Sequence, residues 1–409
     1  MIYGYYKLIY FLPIALVTGP FLPDLIVVIC SLLFLFDSFR LKLFKYYNNN
    51  FFKIFISFFI ILNLSTIFSE NFSLFKYSIG YIRYGLFSIF LFYVLKNIEH
   101  SKLFLSYSII FTFALLLFDG YFQFIFNKNI LLFELQEYRA NLFYVTSFFN
   151  EEKKLGGFLV KMFPLFIFSV FLFRDKLKNI KIEKIYSFAI LLIFFLVILT
   201  TERVSIFAVT VLISIVFLKS NILFKPKILF LSITFFSIII LFFFQPEILN
   251  KIKSVLYSTG LAHPGYSDEG KILGEYDEGK FIFSKYHHLQ IITSINLFLE
   301  SPFFGVGPKN FKNVVLTGWH PHNYSFQILA EIGIFGFMIF ISTFFFLLFK
   351  FFKIFFNFNN RETNNELNIY LIAGFLLNLF PIPSGDFFNN WVNILIYFPV
   401  GYYLYLNEK

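Results

Sequence analysis

The chain has 409 residues, of which 58% are apolar and 14% charged, with a mean hydropathy of +0.74. A soluble multidomain chain carries roughly a quarter charged residues, so this composition excludes that class and puts the chain in a lipid bilayer. The net charge of +10 and the 70 phenylalanines would also suit a nucleic-acid surface with stacking rings, but basic topology-setting loops and lipid-facing rings account for both, and no nucleic-acid partner is expected.

A membrane helix needs about 20 mostly apolar residues. The first run, residues 7–20, follows Lys7, is interrupted by Pro13 and Pro20, and lacks a small-residue cleavage site, so it reads as a retained first helix rather than a signal peptide. Eleven further runs follow at 24–39, which holds the lone Cys30, and at 54–68, 78–95, 103–118, 155–173, 186–200, 204–218, 228–244, 323–349, 368–380 and 388–406. With one cysteine, no intramolecular disulfide can form. Thr200-Thr201-Glu202-Arg203 puts two charges between the seventh and eighth runs, which favours a tight hairpin over one long helix. The reading is an all-α, polytopic integral membrane protein of about 12 transmembrane helices, a single transmembrane domain over residues 1–409.

Lysine and arginine sort the gaps. With the N-terminus in the cytoplasm, every even-numbered gap is basic: Arg40 to Lys53, Lys96 and Lys102, Arg174 to Lys184, Lys219 to Lys227, and Lys350 to Arg361. The short odd-numbered gaps hold only Lys76 and Arg203. Both termini are therefore expected in the cytoplasm, and two long segments, 119–154 and 245–322, on the opposite face. Long connections of this kind carry short helices and function. Within the second, Leu289 to Leu299 is patterned as an amphipathic helix against the membrane, ended by Ser301-Pro302. The repeated Asp-Glu-Gly-Lys at 268–271 and 277–280 lacks EF-hand ligand spacing and reads as a pair of polar turns.

The strongest local signal is His320-Pro321-His322-Asn323 followed by Gln327, Glu331, Gly333 and Gly336. On a helix Asn323, Gln327 and Glu331 fall on one face, with Glu331 roughly 12 Å along the axis from Asn323. Such a polar stripe must face protein or water, either as glue between helices or as a functional surface; both readings stand. Gly333 and Gly336 would let another helix approach. His322, at the mouth, has the chemistry of a general base at neutral pH. Arg83 and Lys161 lie a few residues inside their spans from the same face, Arg203 sits in the hairpin, and Arg139 precedes the sixth span. Any one of these cations could be ion-paired or snorkelling; four together point to an anionic ligand such as a diphosphate.

These blocks resemble a known family. His322-Asn323, nine residues, then Gly333-x-x-Gly336 is similar to the signature of O-antigen ligases, within a motif region spanning 300–349. Pro302-Phe-Phe-Gly305-Val-Gly307, Phe149 to Gly156, Thr201-Glu-Arg203 and Ser384 to Trp391 resemble further blocks. The resemblance implies a GT-C-like glycosyltransferase of the bacterial inner membrane with its active site facing the periplasm. Its donor would be an undecaprenyl-diphosphate-linked glycan and its acceptor lipid A-core or another glycan, with membrane lipids around it. It further implies that His322 and Arg203 are essential. Many members carry another arginine upstream of the Pro-x-x-Gly-x-Gly element; this loop contains none and offers Lys285, His287 and His288.

The expected chemistry is an inverting displacement at the anomeric carbon. His322 takes the acceptor proton, while Arg203, Arg139 and either Arg83 or Lys161 neutralise the departing diphosphate; Asn323, Glu331, Lys285, His287 and His288 complete the substrate-binding set. No Asp-x-Asp motif is present on that face, and neither a metal nor a cofactor is expected. Polymerase and protein-targeted oligosaccharyltransferase remain alternatives within the family, and a transporter or flippase of lipid-linked sugars is the alternative outside it, though no internal repeat supports one. The topology is directly testable: a cysteine at Ser267 in a Cys30→Ser background should react with a membrane-impermeant maleimide in intact spheroplasts, and labelling only after permeabilisation would invert the scheme.

Overall fold

The computed structural model describes residues 4–69, 71–137, 143–177, 180–219, 285–315, 320–356, 363–380 and 384–407. Arg139, the run at 228–244, Ser267 and the Asp-Glu-Gly-Lys repeats lie outside them. The chain is a helical multi-pass membrane protein. Among the described residues six helical segments are long and apolar enough to cross a bilayer: Phe21–Arg40, Asn50–Phe68, Phe72–Asn97, Ser101–Phe126, Leu155–Phe173 and Tyr324–Phe355. In chain order the main helices are α1 (Phe21–Arg40), α2 (Asn50–Phe68), α3 (Ile82–Asn97), α4 (Ser101–Phe126), α5 (Leu155–Leu177) and α6 (Ile180–Leu199). They continue with α7 (Arg203–Lys219), α8 (Lys285–Glu300), α9 (Tyr324–Phe355), α10 (Thr363–Leu379) and α11 (Asn390–Asn407).

The first predicted span differs from expectation. Residues 4–15 form a 3-10 stretch, Gly4–Phe11, running into a short α-turn, Leu12–Ala15. Pro13 and Pro20 interrupt the amide ladder there, and α1 begins immediately after Pro20. The expected hairpin is present: α6 ends at Leu199 and α7 starts at Arg203. The described residues of the segment 119–154 are mostly not helical. Its first residues extend α4 to Phe126, and the rest holds a small antiparallel pairing of Gln136 with Tyr144 and Glu137 with Phe143. A buried network holds this segment on α4: Asp119 accepts from the Ser147 hydroxyl at 2.5 Å and the Ile130 N–H at 2.9 Å, and the Gln123 carbonyl accepts from the N–H groups of Thr146 and Ser147. In a bilayer such groups have no water to fall back on, so protein partners must satisfy them.

Lipid-facing surfaces carry exposed rings such as Phe21, Phe36, Phe118 and Phe349, while the interior is filled by Phe87, Phe90, Phe158, Phe163 and Phe398. α11 packs along α3, α4 along α5, and α8 along α9. Since lipid tails are as apolar as these side chains, packing contacts and buried hydrogen bonds hold the helices together, not the exclusion of water.

α9 is broken near its start. Gly333 has φ +71° and ψ −167°, outside helical geometry. What approaches it is not a helix, as the small-residue pattern suggested, but the backbone of the Pro302–Gly307 turn. The Ile334 N–H donates to the Pro302 carbonyl at 2.8 Å, and the N–H groups of Val306 and Gly307 donate to the Ala330 and Glu331 carbonyls at 3.0 and 2.9 Å. A Cβ on Gly333 would lie 2.4 Å from the Phe303 carbonyl oxygen, and one on Gly305, φ +68°, would lie 2.4 Å from the Glu331 carbonyl carbon. Gly336 instead faces Ile332 of its own helix. Neither the close backbone nor the positive φ tolerates a side chain, so Gly333→Ala should cost on the order of 3 kcal/mol. The measurement is the thermal unfolding midpoint in detergent beside Gly4→Ala, whose Cβ would meet nothing within 4 Å; equal midpoints would refute the lock.

Candidate active site

The mouth of α9 is built from its N-cap upward. The Asn323 side-chain oxygen accepts from the N–H groups of Ser325 and Phe326 at 3.0 and 3.3 Å, which satisfies two of the four orphan amides of a helix start. Asn323 therefore caps α9 rather than adding a rung to the polar stripe. His322 precedes it in a left-handed conformation, φ +52°, uncommon for a residue with a Cβ. Its carbonyl accepts from the Ser384 N–H at 2.7 Å, and the Ser384 hydroxyl accepts from the Tyr324 N–H at 3.1 Å. The His320 and His322 rings lie 4.1 Å apart between centroids. Burial pushes the His320 pKa below its ordinary value, against the pull of the Asp386 carboxylate, which favours a neutral imidazole at neutral pH.

Below this mouth Gln327 and Glu331 meet as the helical spacing predicts. The Gln327 amide donates to Glu331 Oε2 at 3.1 Å and to Asp386 Oδ1 at 2.7 Å, and its carbonyl accepts from the Phe387 N–H at 2.8 Å. Glu331 Oε1 accepts from the Phe311 N–H at 3.0 Å. The Ser65 hydroxyl of α2 donates to the Glu331 carbonyl at 2.8 Å. Glu331 is buried, and all of these contacts are internal.

The expected cations separate into two kinds. Arg83 is committed to α1 and its own helix: Nε donates to Asp24 Oδ1 at 3.0 Å, one terminal nitrogen to the Gly80 carbonyl and the other to the Tyr84 hydroxyl at 2.7 Å. Asn390 also donates to Asp24, at 3.1 Å. Lys161 lies near Glu202: a Cβ on Gly157 would stand 3.5 Å from Glu202 Oε2 and 4.0 Å from Lys161 Nζ. Glu202 accepts from the N–H groups of Gly156 and Gly157 at 2.9 and 2.8 Å and from the Ser205 hydroxyl at 2.7 Å. A carboxylate at the N-terminus of α5 is favoured by the helix dipole as well as by these donors. Arg203 is different: it is exposed and has no hydrogen bond or ion pair among the described residues. Thr201, two residues before it, is another non-glycine with positive φ, +56°.

The segment 384–391 joins these parts. Ser384 bonds the His322 backbone, Asp386 and Phe387 bond Gln327, and Asn390 bonds Asp24 of the Arg83 pair. The Trp391 ring then packs on Phe149 and Phe158, with the Lys154 ammonium 5.7 Å from its centroid, next to the Glu202 cap. Arg83, His322, Asn323 and Glu331 are thus tied to one segment, and Lys161 and Arg203 adjoin it through α5. Lys285, His287 and His288 fall in the first turn of α8, where only the backbone is described. Arg139 lies outside the described residues.

Residue-by-residue reading passed over Asp386 and Asp24. Asp386 stands in a block that carries the family resemblance, and Asp24 is a carboxylate opening a largely apolar run, which is the available signal. Gln327→Leu removes three hydrogen bonds and leaves the buried Phe387 N–H unpaired. It should lower stability by about 3 kcal/mol, read as a lower unfolding midpoint in detergent; an unchanged midpoint would show that the network contributes nothing.

No curated protein matches the chain. Residues 188–341, which contain Glu202, Arg203, His322, Gln327 and Glu331, match the protein family described as O-Antigen ligase.

Proposed function

We propose that the protein is a glycosyltransferase of the O-antigen ligase type that moves an undecaprenyl-diphosphate-linked glycan to lipid A-core, on the periplasmic face of the bacterial inner membrane and with both termini in the cytoplasm. The observation that carries the reading is the contrast among the cations. Arg83 and Lys161 have local carboxylates beside them, whereas Arg203 stands exposed on a hairpin held by the Glu202 cap, within the segment that matches the family.

In the proposed reaction the acceptor hydroxyl attacks the anomeric carbon from the face opposite the diphosphate. The new C–O bond forms as the bond to the diphosphate oxygen breaks, and configuration inverts. His322 accepts the hydroxyl proton and the diphosphate departs with the bonding electron pair, stabilised by the planar, permanently charged guanidinium of Arg203 and by Arg139. Because the leaving group already carries its charge, side-chain cations suffice to neutralise it. Arg83, Lys161, Asn323 and Glu331 act in this scheme as positioning residues that hold the 384–391 segment and the start of α9. Lys285, His287 and His288 supply the contact that an upstream arginine makes in many members of the family.

Deletion of the gene with glycan analysis tests the reaction. Loss of capped lipid A-core with accumulation of lipid-linked polymer supports a ligase, and a product of single repeats would make the protein a polymerase instead. For the residues, His322→Ala should insert normally and lower transfer by roughly a hundred- to ten-thousand-fold, with a smaller loss for His320→Ala, and Arg203→Lys should also fall strongly because it keeps charge but loses the bidentate fork. Near wild-type turnover of lipid-linked donor by either His322→Ala or Arg203→Lys would remove that residue from the chemistry.

A further inference from the structure

At the other end of the bundle from His322 a cleft of about 480 Å³ opens between α2, α9, α10 and α11. Its volume falls within the range of small-molecule sites. The inner wall is apolar and largely aromatic, including Phe55, Phe58, Phe340, Phe346 and Tyr397. Its blind end is Phe387, whose ring packs on Phe58, Phe340 and Tyr324 at 6.2, 6.1 and 5.4 Å, while its N–H is bound by Gln327. This ring cluster lies between the cleft and the polar network under the histidines. The open end is polar and basic: Lys45, Asn48, Asn49, Asn50, Lys350 and Asn407 line it.

Two features indicate what fits. Along α9 the cleft runs from Phe340 to Lys350, ten residues and so roughly 15 Å at about 1.5 Å per residue, which is half of a hydrocarbon core of about 30 Å. The apolar depth therefore equals one leaflet, not two. Lys45 and Lys350 at the mouth also have no carboxylate within ion-pair distance among the described residues. Lys350 donates to the neutral oxygens of Tyr403 and Asn407 at 2.6 and 2.7 Å, and Lys45 lies exposed 5.2 Å from the centroid of the Tyr46 ring, which Lys96 flanks on another side at 5.9 Å. Ammonium groups at headgroup depth above a one-leaflet apolar slot are complementary to a lipid with an anionic phosphate and an acyl chain. Basic pockets between membrane helices are known to take such headgroups.

We propose that this cleft is a binding site for an anionic glycerophospholipid of the leaflet on the Lys45 side, with one acyl chain along Phe346, Phe340 and Phe58 and the phosphate between Lys45 and Lys350. The site is separate from the donor site proposed above and does not depend on that reading. A lipid seated there fills the gap between α2 and α11 under Phe387, and so supports from below the segment that holds the histidine mouth.

Native mass spectrometry of the full chain in a neutral detergent tests this, with phosphatidylglycerol and phosphatidylcholine titrated in parallel. Phosphatidylglycerol should bind preferentially and weaken with salt. Lys45→Gln and Lys350→Gln should each reduce its affinity roughly fivefold, and Lys45→Gln, an exposed position, carries the test if Lys350→Gln fails to fold. Equal affinity for the two lipids, or unaltered phosphatidylglycerol binding by Lys45→Gln and Lys350→Gln, overturns the proposal. Displacement of bound phosphatidylglycerol by an undecaprenyl diphosphate also overturns it, because the cleft would then belong to the donor's tail.

Discussion

The side chain of Gln327 is the point on which the candidate site depends. It is buried within a membrane helix, where each unmatched polar atom costs several kcal/mol and water is not at hand. Its amide and carbonyl are satisfied by Glu331 one turn along the same helix and by Asp386 and the Phe387 N–H from one distant stretch of chain. Glu331 passes the constraint on through the Phe311 N–H to the turn that fills the break at Gly333. One amide thereby ties the start of α9, the 302–315 turn and the 384–391 segment into a single body. His322 and Ser384 sit on top of it, and Ser384 holds the backbone just after His322, a residue of positive φ, through the His322 carbonyl and the Tyr324 N–H. Backbone strain of this kind persists where the surroundings over-determine the conformation, and it is concentrated at working sites.

Electrostatics divides the same region into neutralised and available charge. A lone cation at membrane depth is costly; Arg83 meets that cost with an ion pair to Asp24, and Lys161 has the Glu202 carboxylate nearby without a hydrogen bond to it. Glu202 serves three ends at once: it stands beside Lys161, accepts from the first amides of α5, and accepts from Ser205 one turn into α7. With its carboxylate so occupied, it is poorly placed to quench the neighbouring Arg203, whose guanidinium projects outward. A hairpin that ties up its acid in hydrogen bonds and exposes its base is suited to receive an anion.

The aromatic content has a structural division as well. Phe387 belongs to both halves of the molecule, its N–H in the polar network and its ring in the apolar cleft. Tyr81 and Tyr397 continue this boundary, their hydroxyls 3.1 Å apart and Tyr81 bonded to Asn393. The ring cluster thus separates the polar network under the histidines from the apolar cleft, whose own polar groups lie at its far, open end.

The sequence by itself determined what depends on local period and composition. The apolar runs, the alternation of basic gaps, the hairpin at Glu202-Arg203 and the facing of Gln327 and Glu331 were all legible, because helix length and the i, i+4 spacing are properties of neighbouring residues. The resemblance of the 384–391 block marked it as relevant without indicating what it touches. Only the tertiary structure decided the pairings: Asp24 with Arg83 across 59 residues, Gln327 with Asp386 across another 59, and Ser65 with the Glu331 carbonyl across 266. It also turned Asn323 into a cap, and it gave Gly333 to a backbone turn where the small-residue pattern suggested a helix. The physical reason is the same in each case. A buried polar group in a membrane must find a partner, and the sequence states that requirement at every such residue, but which partner comes within 3 Å is set by how the helices pack.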